Sequence, residues 1–208
     1  MLHPLNQNIA DTQPPPVIAA LRWLDGVTFP PDRPLINVSQ AAPAAPPPRI
    51  MRQAIADIVL NDDAAHLYGP DLGFPGLRAQ IAKDWSATYG GAISKDSVAV
   101  TSGCNQAFTA AVTTIAKSGD EIILPTPWYF NHKMHLQMND IAAVALPTDQ
   151  DLLPDPMAAA SLITDRTRAI VLVTPNNPAG VEYPASLVRA FYELAKSRSI
   201  ALILDETY

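Results

Sequence analysis

The pair Asn176 and Asn177, with Asp205 and Tyr208, has the residue types and the spacing to do chemistry together. Asn176 and Asn177 come just after the apolar run Ala169–Val173, and Asp205 comes directly after the run Ile200–Leu204. If the two runs are neighbouring parallel strands, about 5 Å apart, an amide and a carboxylate converge at the carboxyl edge of one sheet. Open α/β folds bind their ligands at that edge. Tyr208, three residues beyond Asp205, faces the same crevice on this reading. An ionised carboxylate there favours a positively charged partner. Taken one at a time, the same residues also suit plainer duties: Asn-Pro and Pro-Ala-Gly are ordinary turn sequences, and an aspartate can cap a helix.

Holding such a set in place requires a buried scaffold. Both runs are apolar without alternation, as expected of strands covered on both faces. Between them Leu187, Phe191, Leu194 and Ala195 recur at helical spacing, and Pro184 suits a first helical turn. Strand, helix and strand make a parallel βαβ unit. The alternation extends upstream, with strands expected at Ser97–Thr101, Glu121–Leu124 and Ile141–Leu146 and a helix at Pro154–Leu162. A further helix opens at Ser102-Gly103-Cys104-Asn105 and runs to about Lys117, with Phe108, Ala111, Val112 and Ile115 inward. From Ser97 onward the pattern predicts a three-layer α/β domain. Earlier, Arg49–Leu60 reads as an amphipathic helix, and a second helix carries Leu77, Ile81 and Trp85 and stops at Gly90-Gly91. Leu35–Val38 reads as a short strand. The prolines that crowd the first quarter suggest an extended arm, broken by one short helix with Ile18, Leu21 and Leu24 on one face.

The stretch Val173-Thr-Pro-Asn-Asn-Pro-Ala-Gly, followed by Leu204-Asp-Glu-Thr-Tyr, resembles fold-type I pyridoxal-phosphate enzymes, in particular the class I/II aminotransferases. The resemblance implies pyridoxal 5'-phosphate as cofactor. It implies that Asn177 and Tyr208 hydrogen-bond the cofactor's phenolic oxygen, and that Asp205 keeps the pyridine nitrogen protonated. A protonated pyridine is an electron sink for the carbanion at a substrate α-carbon. By the same resemblance Gly103, Cys104 and Asn105 form the phosphate cradle, where a helix N-terminus offers free N–H groups and the positive end of its dipole. Tyr129, before Asn131-His132, stacks on the pyridine ring, with Trp128 as second choice. Tyr68, in Tyr-x-x-x-x-Gly-x-x-x-Leu-Arg, reaches the cofactor phosphate of a neighbouring subunit, which implies a homodimer. The family usually has a glycine near Ala41, and the alanine departs from that pattern.

The fold expected from the resemblance is the α/β/α large domain of fold-type I enzymes with a mostly parallel sheet. Residues 1–45 would form an arm and small-domain segment, and residues 46–208 a large domain cut before the C-terminal small domain. The family's Schiff-base lysine lies beyond Asp-x-x-Tyr, and none of Lys83, Lys95, Lys117, Lys133 or Lys196 sits in a Ser-x-x-Lys context. The chain is therefore expected to be the N-terminal part of a longer aminotransferase, acting when complete on an α-amino acid and a 2-oxo acid. Another fold-type I lyase or synthase, or a non-catalytic aminotransferase-like ligand-binding domain, stands as the alternative.

Composition narrows the field. Of 208 residues 48% are hydrophobic and 16% charged, with a net charge of −6, so no nucleic-acid surface is expected. No apolar run approaches the ~20 residues of a membrane span. A single cysteine and a start without a basic, apolar leader point to the cytoplasm. Glycines 69, 73 and 76 lack the Lys-Ser/Thr of a phosphate loop, and no strand is followed by the glycine fingerprint of a dinucleotide fold. His132 and His135 share a helical face, but no third ligand stands nearby, so no metal site is expected.

Overall fold

Strands that are apolar on both faces need cover on both, and that requirement sets the architecture. The computed structural model describes residues 3–39 and 45–208. Along them run α1 (Gln7–Asp11), α2 (Pro16–Arg22), α3 (Arg49–Asn61), α4 (Pro75–Tyr89), α5 (Cys104–Ile115), β1 (Glu121–Thr126), α6 (Phe130–Met138), β2 (Ala142–Pro147), α7 (Pro156–Leu162), β3 (Thr167–Val173), α8 (Ala185–Ser197) and β4 (Ala201–Asp205). They group into two compact units, Met1–Ala19 with Ser102–Tyr208, and Ala20–Thr101.

The first unit is a sheet of order β2-β1-β3-β4 in which every pairing is parallel. Successive side chains of a strand point to opposite faces. Ile122, Leu124, Ala169 and Val171 accordingly pack with Phe108 and Val112 of α5 and Leu136 of α6. Ile123, Ile170 and Leu172 pack on the other side with Ala159 of α7 and Phe191 of α8. This is the three-layer α/β/α arrangement. Each fully buried Ile or Leu contributes roughly 1.5–3 kcal/mol, so the central strands carry much of the unit's stability. Local signals agree with the layers: Asp155 caps α7 by accepting from the Met157 and Ala158 amides, and Pro184 is the N-cap of α8. The carbonyl of Asp11 accepts from the Gln137 side chain, which ties α1 to α6.

The second unit is built around α3 and α4. The guanidinium of Arg78 donates to the carbonyls of Val98 (2.7 Å) and Lys95 (2.8 Å). Gly73 adopts φ +94°, and a Cβ there would stand 2.8 Å from the Cβ of Val100, so the close approach requires glycine. Gly73 thus serves packing within this unit. Among its described residues only Ala82 is fully buried, and the apolar face of α3, including Ile50, Met51 and Ile55, is exposed.

Several expectations are corrected. Ser97–Thr101 is not a strand: Lys95–Ser97 forms a 3-10 turn, and the Val100 amide bonds the Leu72 carbonyl instead of joining a ladder. Leu35–Val38 is not a strand either, because no described segment pairs with it, and Ile36 and Val38 are more than four-fifths exposed. An apolar run becomes a strand only where a neighbour accepts its backbone hydrogen bonds. The arm carries α1 as well as the expected short helix. Ala41 lies outside the described residues.

Candidate active site

The register of the sheet brings the site together. Val173 at the end of β3 stands opposite Asp205 at the end of β4, and the Thr174 amide donates to the Asp205 carbonyl at 3.0 Å. With the loop after β1 and the first turn of α5, these ends enclose a cavity of about 220 Å³. Cys104, Asn105, Tyr129, Asn177, Asp205 and Tyr208 line it, together with Val173 and Thr207.

Asp205 is the centre of a hydrogen-bonded cluster. Its carboxylate is buried, and its Oδ2 lies 3.1 Å from Nε2 of His132, which is also buried. Its Oδ1 accepts from the Thr207 hydroxyl (2.6 Å), the Thr207 amide (3.1 Å) and the Cys104 thiol (3.4 Å). Burial alone would raise the carboxyl pKa; the bonds from His132, Thr207 and Cys104 outweigh it and hold the group well below the usual carboxylate range. Asp205 is therefore an anion at any physiological pH. The thiol of Cys104 moves the other way. Burial raises it, a Thr207 hydrogen bond opposes, and the Asp205 charge adds to the rise, so the sulfur stays protonated and acts as a donor.

His132 is itself fixed by rings. Phe108 of α5 stacks on it with centroids 4.0 Å apart, and Tyr129 meets it edge-on at 5.1 Å. Asn131 donates to the Tyr129 hydroxyl at 2.7 Å, which sets the tyrosine's tilt. Trp128, the second choice for the stacking role, instead packs against the core on the α5 side of the sheet, beneath Lys133.

The loop after β3 separates two adjacent asparagines. Asn176 is buried; its amide donates to the Val173 carbonyl (3.3 Å) and the Tyr183 hydroxyl (3.1 Å), and its Oδ1 accepts from Ala179 (2.9 Å). The Tyr183 amide donates to the Thr174 hydroxyl at 2.8 Å. Asn176 is thus the internal brace of the turn, and Asn177 is the member that reaches the cavity. Gly103 precedes α5 with φ +87°, a conformation that favours glycine. The first-turn amides of Cys104 and Asn105 have no intrahelical acceptor, because the ladder begins at Gln106. Tyr68 belongs to the second unit, where its side chain is fully exposed.

Sequence reasoning passed over His132 and Thr207 as partners of Asp205. The signal for the first was the histidine three residues after Tyr129. For the second it was a hydroxyl two residues beyond a carboxylate, a spacing at which side chain and backbone readily bond. Among the described residues no three or more His, Cys, Asp or Glu side chains are grouped to hold a metal, and no helix is long and apolar enough to cross a membrane.

Residues 33–208 match the aminotransferase class I and II family. The chain belongs to that family. Its relatives include a probable aspartate/prephenate aminotransferase of Thermus aquaticus, 33% identical over 68% of this chain and 37% of that protein. An aromatic aminotransferase of Arabidopsis thaliana is 28% identical over 93% of this chain and 48% of its own length. Among solved structures, an alanine aminotransferase from Pyrococcus furiosus superposes with a TM-score of 0.87 at 26% identity, covering 99% of this chain and 52% of that one. An aspartate aminotransferase from Thermus thermophilus gives 0.86 at 25% identity, covering all of this chain and 54% of that one. The chain spans less than half the length of these curated relatives and about half of the solved chains. The family is generally dependent on pyridoxal phosphate, and the fold is that of the fold-type I aminotransferases.

Proposed function

We propose that the full-length protein is a pyridoxal-phosphate-dependent aminotransferase that moves an amino group between an α-amino acid and a 2-oxo acid. The observation that carries this is the buried Asp205 carboxylate, held ionised and turned into a cavity beside Asn177, Tyr208, Tyr129 and the first turn of α5.

The donor set fits the cofactor. Asp205 would hold the ring nitrogen, and a fixed negative charge there keeps that nitrogen protonated. Asn177 and Tyr208 would bind the phenolic oxygen, Tyr129 would cover the ring face, and Gly103, Cys104 and Asn105 would cradle the phosphate at the positive end of α5. The cofactor, once bound, supplies an electron sink for charge developing at the substrate α-carbon. The chain's own contribution is to bind and orient it and to keep one proton on the ring nitrogen. Residues 46–208 would then belong to the cofactor-binding large domain, with 1–45 as arm and small-domain segment. Tyr68 would serve the phosphate site of a second copy in a homodimer.

The test is Asp205→Asn in the full-length protein. The near-isosteric amide should preserve folding and cofactor uptake but lose the charge. An electrostatic interaction of this kind is worth on the order of 3 kcal/mol, so kcat should fall roughly a hundredfold or more with KM little changed. A helix-capping aspartate would tolerate the change, because asparagine caps about as well. Turnover within a few-fold of wild type would decide against the cofactor role.

A further inference from the structure

Asp205 receives more donors than a cofactor-holding carboxylate alone requires, and they are distributed unevenly. A carboxylate offers about four acceptor positions, two on each oxygen. Oδ1 takes the Thr207 hydroxyl and the Thr207 amide, which fill its two positions, and the Cys104 thiol crowds it as a third, longer contact. Oδ2 has the single contact to His132 Nε2, which leaves one position open. We propose that Thr207, assisted by Cys104, is a positioning residue that saturates Oδ1 of Asp205 and so assigns the ring nitrogen to Oδ2, the oxygen shared with His132. This inference rests on the functional reading above and adds the device that aims its central carboxylate.

The geometry favours the hydroxyl as the decisive donor. At 2.6 Å it is the shortest contact on the carboxylate, and bonds to ionised acceptors are stronger than neutral ones. Thiols donate weakly, so Cys104 at 3.4 Å is the lesser partner. Thr207 also lines the cavity, two residues past the end of β4. With both oxygens engaged, the carboxylate cannot turn about its last bond without breaking contacts on each side. The same donors lower its basicity, which leaves the shared proton on the ring nitrogen instead of the carboxylate. A purely structural duty, closing the turn after β4, would need only the Thr207 amide, which every substitution except proline retains.

The experiment uses full-length holoprotein carrying cofactor labelled with ¹⁵N at the ring nitrogen. Thr207→Val keeps the branched shape and removes the hydroxyl. The ring-nitrogen resonance should move toward that of neutral pyridine, and the cofactor dissociation constant should rise roughly tenfold, the scale of one hydrogen bond to a charged group. Thr207→Ser should restore both readouts, and Cys104→Ala should shift them in the same direction by less. A Thr207→Val protein with the wild-type resonance and affinity would overturn the inference. So would a serine variant as impaired as the valine one, since the hydroxyl would then not be the agent. Wild-type protein that fails to take up the labelled cofactor would instead overturn the functional reading, and this inference with it.

Discussion

Replacing Asn176 with alanine should loosen the loop that presents Asn177, and the size of the effect follows from its contacts. The substitution removes three side-chain hydrogen bonds, to Val173, Tyr183 and Ala179. Val173 and Tyr183 are buried, so their oxygens lose a partner where water does not replace it, whereas Ala179 is partly exposed and its amide is more readily hydrated. Orphaning a buried polar group costs about 1–3 kcal/mol, so two give a local destabilisation of about 3 kcal/mol. That corresponds to roughly a hundredfold shift in the opening equilibrium of the loop. Amide hydrogen exchange at Gly180, whose N–H donates to the Asn176 backbone carbonyl at 2.7 Å and keeps that acceptor in the variant, reads the shift in the full-length protein. Asn177→Ala, which leaves the brace intact, should change that rate by no more than a few-fold. Tyr183→Phe removes one acceptor and should give a smaller acceleration, with the double substitution less than additive because the two share a bond. Exchange at Gly180 that is unaffected by Asn176→Ala, or equally accelerated by Asn177→Ala, would refute the division of labour between the two asparagines.

Two further outcomes are expected. Because burial and the neighbouring carboxylate raise the Cys104 thiol, its alkylation by iodoacetamide should reach half-maximal rate above the ordinary thiol value of about 8.5, and Asp205→Asn should lower that pH; a half-maximal rate near or below 8.5 in the unmodified protein would contradict this. If Tyr68 serves a neighbouring subunit's phosphate, the full-length protein should sediment as a dimer, and a fully active monomer would remove that role.

The layered fold was legible in the sequence wherever periodicity had a single meaning. The apolar runs in β1 and β3 are buried on both faces, as such a pattern demands, whereas the equally apolar run in β4 is only partly covered and leaves Leu204 exposed. Ser97–Thr101 and Leu35–Val38 also read as short strands yet are not, because pairing is a property of the neighbour and no local pattern records it. The site divides the same way. Asp205 and Tyr208 stood out in the sequence for following an apolar run, and Asn177, Tyr129 and the turn into α5 through the family resemblance; the structure brings Asp205, Tyr208, Asn177, Tyr129, Cys104 and Asn105 to the lining of a cavity. The motif resemblance favours Asn177 of the two adjacent asparagines, but the duty of its neighbour is visible only in the tertiary structure, which turns Asn176 inward to Tyr183. Likewise His132 and Cys104 meet Asp205 from helices distant in the chain, and the sequence carries no distance between them. Residue types and their spacing along the chain determined which groups were available. The register of Val173 against Asp205 and the packing of α5 and α6 on the sheet decided which of them touch, because side-chain contact depends on three-dimensional separation and not on order.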